Sequence, residues 1–263
     1  MPVRRTALVV LVAGAALLAA CDALTTSQPA AGDVFDGPVE GLSAAELAAF
    51  VRGDGEFGRP FSPADGLGPI FNNVSCASCH SADGRGVLAN ALTRFSLGAD
   101  PALSLGGPQI QDKAIAGAEA EQLPPGVNTS LRLPPPVFGV GLIEAIPEAA
   151  ILANVDSLDA DGDGISGRPN WVTPPDWVPA SEPGAQPGLR VGRFSRKAQV
   201  SSIFQQTTAA YHQDMGITTP FLPVENTNPL ASRATEIADR VTDPELPAAT
   251  VRGSGWVVIT GCA

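Results

Sequence analysis

Residues 72–86 read NNVSCASCHSADGRG, a stretch holding two of the chain's four cysteines and one of its two histidines. Within it, Cys76-Ala77-Ser78-Cys79-His80 has the spacing Cys-x-x-Cys-His. On one helical turn, thiols at i and i+3 share a face and can reach the two vinyl groups of a haem. The next residue, His80, then turns its imidazole toward the iron, so the pattern supplies two thioethers for permanence and one nitrogen for ligation. Three other readings compete. A thioredoxin-like dithiol needs a βαβ pattern around it, and none surrounds these residues. A closed zinc site needs four ligands, and there is no second Cys/His pair. A structural disulfide suits an exported protein but leaves His80 unexplained.

The chain begins MPVRRTALVVLVAGAALLAAC. Arg4 and Arg5 precede an apolar run, Ala7 to Leu18, that is short for a membrane span and typical of an export signal. Leu18-Ala19-Ala20-Cys21 resembles the lipobox of bacterial lipoproteins. The resemblance implies cleavage after residue 20 and acylation of Cys21, with more than one acyl chain making the anchor stable. Residues 1–20 therefore read as a lipoprotein signal and 21–40 as a polar tether, with the protein outside the cytoplasm, periplasmic or on the cell surface. The formal net charge is −11, and loss of the two leader arginines makes it more negative. That argues against nucleic acid and against electrostatic binding to anionic lipid, and favours a basic redox protein or small solutes.

Ser43 and Glu46 form a capping box, with Leu42 and Leu47 at staple spacing. A helix is expected from Ala44 to Arg52, burying Leu47, Phe50 and Val51, with Gly53 stopping it. Residues 87–135 read as mostly irregular. AIPEAAILANVD, from Ala145, reads as one helix with Pro147 in its first turn. Residues 198–214 form the strongest helix of the second half. Val200, Ile203, Phe204, Thr207 and Tyr211 share its stripe, and Gly216 is its C′ residue. With no alternating strand pattern, the fold class expected is mainly α, a cytochrome c-like domain with long loops that accommodate 25 prolines and 28 glycines.

An iron held by His80 takes a sixth ligand or keeps an open position. Met215 is the only methionine beyond the leader, and it lies on the stripe of the 198–214 helix. It is preferred over His212, the other histidine, which points roughly 100° round from Tyr211. Arg193 and Lys197, in GRFSRKA, read either as partners of haem propionates or as surface charge. Asp159, Asp161 and Asp163, at i, i+2 and i+4 in a glycine-bearing loop, with the carbonyl of Ile165, read as a calcium site or as an acidic turn. Asn170 stands where a full EF-hand has its bidentate glutamate, which excludes that motif.

Four stretches together resemble the di-haem oxidoreductase family, also called thiol oxidoreductases and related to bacterial di-haem cytochrome c peroxidases. They are DGLGPIFNNVSCASCHSADGRG, LPPPVFGVGLIEAIPEAAILANVD, DADGDGISGRPNWV and VGRFSRKAQVSSIFQQTTAAYHQDMGITTPFLP, and they cover roughly residues 65–222. The resemblance implies two cytochrome c-like domains with one haem each, and it places Met215 inside a shared motif. This chain holds one Cys-x-x-Cys-His and stops at Thr260-Gly261-Cys262-Ala263. Gly-Cys-Ala matches the opening of a second attachment motif, so the sequence is expected to break off inside it. Residues 41–223 are then the haem c domain and 224–263 the start of a second one. The function expected is extracytoplasmic electron transfer by a membrane-anchored haem protein. The alternatives are a di-haem peroxidase acting on hydrogen peroxide, complete only in a longer chain, and a non-enzymatic metal-binding surface lipoprotein.

Overall fold

The computed structural model describes residues 37–231 and 238–260. The leader, Cys21, most of the tether and Gly261-Cys262-Ala263 lie outside the described residues. Ser43 opens helix α1, Ala44–Gly58. Its hydroxyl accepts the Glu46 N–H at 3.3 Å and its own N–H donates to the Glu46 carboxylate at 2.8 Å, closing the capping box. The helix runs on through Gly53, which is buried. Packing of α1 against helix α7, Ala248–Thr260, outweighs a mid-helix glycine's cost of about 1 kcal/mol. Phe50 is buried as expected, whereas Leu47 and Val51 face outward, 44% and 61% exposed.

Between these helices run β1 (Ile70–Phe71), α2 (Cys76–Cys79), α3 (Ser81–Gly84), β2 (Leu92–Ser96), β3 (Lys113–Ala114) and β4 (Asn128–Arg132). Then come α4 (Val140–Ala145), α5 (Glu148–Leu152), β5 (Trp171–Val172), β6 (Arg190–Val191) and α6 (Ile203–Met215). The strands pair antiparallel as β1–β3, β2–β4 and β5–β6. The single helix expected around Pro147 is two, because Pro147 is the N-cap of α5 and Ile146 ends α4. Helix α6 starts later than expected, at Ile203, since Val200 is bridged to Phe194 and Ser202 is the cap. It ends as expected on Gly216, at φ 73°.

The expected mainly α fold is not what forms. The described residues are 28% helical and 13% strand, with short helices and several small antiparallel sheets. Prolines and positive-φ glycines between residues 60 and 200 keep helices there to six residues or fewer and leave the chain extended or turning. The largest ladder, β2–β4, pairs Leu92 with Arg132 and Ser96 with Asn128, within the stretch read as irregular.

The main core joins Phe61, Leu67, Val178, Phe204, Tyr211, Met215, Ile217, Leu246 and Val251. Phe61 meets the fully buried Tyr211 edge-on, with ring centroids 6.1 Å apart. A smaller core, Phe95, Ala102 and Ile110, backs the β2–β4 ladder. Among the described residues no helix is long and apolar enough to cross a membrane.

Beside the main core, Thr218 donates through its hydroxyl to Asp243 and through its N–H to Glu245. Burial, and then repulsion from Glu245, Asp243 and Asp239, pushes the Glu225 carboxyl up to about 9; burial also pushes Glu245 up to about 8. Both values lie above the unfolded range, so the folded chain holds protons that the unfolded chain releases. Stability from these two groups is full below about pH 4.5 and falls as pH rises toward 8–9. The urea midpoint should therefore decline between pH 5 and pH 9, and Glu225→Gln should flatten that decline and exceed the parent at pH 8. A Glu225→Gln profile superimposable on the parent's would refute the assignment.

Candidate functional site

Ser75, extended at φ −158°, caps the one-turn helix α2. Its hydroxyl accepts the Ser78 N–H at 3.1 Å, and its N–H donates to the Ser78 hydroxyl at 3.2 Å. The His80 N–H closes the turn on the Cys76 carbonyl at 2.9 Å. Asn90 fastens the turn's end by donating to the carbonyls of Ser78 and Cys79. The short Cys-x-x-Cys-His sequence is thus held helical by local caps, and both cysteines and His80 line one cavity of about 340 Å³.

His80 Nδ1 lies 3.0 Å from the Pro135 carbonyl. A carbonyl only accepts, so Nδ1 carries the proton and Nε2 keeps its lone pair. Burial holds the imidazole's pKa below its ordinary value, partly offset by that carbonyl, so the ring is neutral near pH 7. Burial, with Asp214 and Cys79 nearby, pushes the Cys76 thiol up to about 12. Cys79 is raised by burial too, against an Asn73 amide that donates to its sulfur at 3.4 Å. Burial therefore favours the neutral thiol over the thiolate at both positions.

Met215, 2% exposed, reaches the same cavity from the last turn of α6. The two sides of the cavity are joined by backbone. Gly68 N–H donates to the Met215 carbonyl at 3.0 Å, and Asn72 and Asn73 N–H donate to the Asp214 carbonyl at 2.8 and 3.1 Å. Gly216 follows so closely that a Cβ there would stand 2.6 Å from the Gly68 oxygen and 2.7 Å from that of Ile70. His212 lies elsewhere, outside the cavity lining, its Nε2 2.8 Å from the Val224 carbonyl.

Arg193 and Lys197 both line the cavity. Arg193 Nη1 is held by the carbonyls of Ile143, Glu144 and Ile146. Arg196, from the same segment, donates to the carbonyls of Leu133 and Pro134 and so fixes the prolyl wall, Pro134–Pro136. Leu92, Arg94 and Arg132 also line the cavity from the β2–β4 ladder, and the sequence reading missed all three. Neither LTRFS nor NTSLR alternates apolar and polar residues, so the sequence carried no periodic signal for this face. Asp214 sits among them, its carboxylate accepting from the Gln109 amide at 2.6 Å, and burial pushes its pKa up to about 6.

No residue of the aspartate loop lines this cavity, and the loop is built differently from the expectation. Carboxylate oxygens of Asp156, Asp159 and Asp161 lie within 4.8 Å of one another. Asp163 accepts the Ile165 N–H at 2.7 Å and is not among the three. Asp156, which the i, i+2, i+4 spacing did not include, gathers the N–H groups of Leu158, Ala160 and Asp161.

A model of the family described as "di-haem oxidoreductase, putative peroxidase" matches residues 19–123 and 119–234. No curated protein and no solved structure matches the chain. The family implies a haem cofactor, and the cavity's donor set fits one. A neutral imidazole and a thioether face it, apolar and prolyl walls enclose it, and Arg132 Nε is buried beside it with no partner.

Because the two sides of the cavity meet at Gly216, Gly216→Ala should destabilise the fold by about 2 kcal/mol or more, combining a left-handed residue with a close contact. Urea unfolding reads the change, and a loss under about 0.5 kcal/mol would show that the approach at Gly68 and Ile70 is not a constraint.

Proposed function

Since this chain belongs to the di-haem oxidoreductase family, we propose that it is a c-type haem protein serving electron transfer outside the cytoplasm. The observation that carries this reading is the convergence of Cys76, Cys79, His80 and Met215 on one cavity. Cys76 and Cys79 would hold the group by thioethers, and His80 Nε2 and the Met215 sulfur would ligate its iron. When bound, haem supplies a one-electron Fe(III)/Fe(II) couple, raised in potential by His/Met coordination.

The chain's own residues prepare the site for that role. Pro135 fixes the tautomer and direction of His80. The end of α6 fixes Met215 against the Gly68–Asn73 segment. Burial keeps His80 neutral and so able to ligate. Nothing in this arrangement needs a mobile acid or base, which suits electron transfer better than peroxide cleavage.

The surrounding proposals follow from sequence. Cys21 would carry the lipid anchor that tethers the protein to a membrane. The acidic surface would meet a basic redox protein. The aspartate loop, with Asp156 joining Asp159 and Asp161, would take one structural Ca²⁺. A peroxidase reading would require a second haem site.

The test is the optical spectrum and metal content of protein made in a host that assembles c-type cytochromes. Expected are a low-spin reduced spectrum, an Fe–S(Met) charge-transfer band that disappears in Met215→Ala, and one iron and one calcium per chain. A high-spin spectrum with peroxide turnover in the parent protein would contradict the electron-transfer reading. Iron without calcium would return the aspartate loop to an acidic turn.

A further inference from the structure

The cavity's charge runs against that of the chain. The whole sequence has 16 lysines and arginines against 27 acids, yet among the described residues the lining holds Arg94, Arg132, Arg193, Arg196 and Lys197 with Asp214 as its one acid. Two of these cations, Arg94 and Arg132, are half-buried without a partner among the described residues, whereas Lys197 is exposed. Arg193 and Arg196 are held by backbone carbonyls. The guanidiniums of Arg94 and Arg132 make no hydrogen bond or ion pair among the described residues, and Arg132 Nε is fully enclosed.

Their position follows from register. Leu92 pairs with Arg132 and Arg94 with Ser130, so Arg94 and Arg132 are diagonal neighbours on one face of the antiparallel ladder. Diagonal side chains there start roughly 7–8 Å apart. That face is turned to the cavity, while Phe95 on the other face enters the smaller core. Two like charges on one half-buried face repel, and burial already disfavours the charged form of Arg94. Asp214 attracts Arg94 without forming an ion pair, its carboxylate being engaged by Gln109. Such a face lacks anions. A carboxylate accepts two parallel N–H bonds from one guanidinium, so two forks suit two carboxylates.

We propose that Arg94 and Arg132 are the clamp for the haem's two propionates, each guanidinium donating to one carboxylate. The assignment rests on the haem reading above. It moves the propionate contact from the Arg193–Lys197 segment to the β2–β4 ladder. Arg94 and Arg132 are then positioning residues that also set the potential, because neutralised propionates favour the ferrous state.

The experiment uses holoprotein variants Arg94→Gln, Arg132→Gln and their Lys counterparts, with Lys197→Gln for comparison. Haem content is read from denatured mass, the midpoint potential by spectroelectrochemistry, and propionate bending by resonance Raman. The double Gln variant should shift the Fe(III)/Fe(II) equilibrium at least tenfold toward ferric, a fall of 59 mV or more for one electron. Lys197→Gln should shift it less. Both Lys variants, which keep the charge and lose the fork, should move the propionate band. Should the Gln variants fail to mature, that band in the Lys variants decides. Unchanged bands, or an unchanged potential in haem-loaded Gln variants, would overturn the clamp. A parent protein without haem would instead overturn the haem reading, and the mass separates the two outcomes.

Discussion

The site depends on three backbone hydrogen bonds that join parts of the chain about 140 residues apart in sequence. Gly68, Asn72 and Asn73 donate their N–H groups to the carbonyls of Asp214 and Met215. These bonds bring the end of α6 against the segment that leads into Cys76. Without them the cysteine turn and the methionine would have no fixed relation. The bonds form only if the chain leaves α6 at once, which explains the left-handed Gly216 pressed against the Gly68 and Ile70 carbonyls. Tyr211 and Ile217, both fully buried, lock the same junction from the core side.

Electrostatics then divide the molecule. The chain is strongly acidic, but the cavity wall is cationic, and burial shifts titrating groups beside it toward their neutral forms. A neutral imidazole and undissociated thiols are what burial in a low-dielectric wall favours. Arginine does not neutralise in this way, so Arg94 and Arg132 remain charged, with Asp214 attracting Arg94. The cavity therefore combines thiol, thioether and imidazole donors with a cationic wall.

Local signals were the legible part of the sequence. The capping box at Ser43, the C′ glycine at 216, the one-turn helix at the cysteines and the buried position of Met215 on its helix each rest on residues within a few positions of one another. What stayed hidden depends on pairing across distance. LTRFS and NTSLR are five-residue strands that become a ladder only when the 31 intervening residues fold back. Too short to announce itself by periodicity, that ladder was read as irregular chain, and Arg94 and Arg132 went unseen with it. Taking the helices as the dominant signal overstated the α content, because proline and positive-φ glycine cut the middle of the chain into two- to six-residue pieces. Gly53 shows the opposite error: a residue that stops an isolated helix is kept inside α1 by packing.

The most direct measurement is the intact mass, under denaturing conditions, of protein purified from a host that matures c-type cytochromes. The account predicts a polypeptide heavier by one haem that survives denaturation, with the addition mapping to the peptide containing Cys76 and Cys79. A chain of bare polypeptide mass, with both thiols free to alkylate, would contradict it.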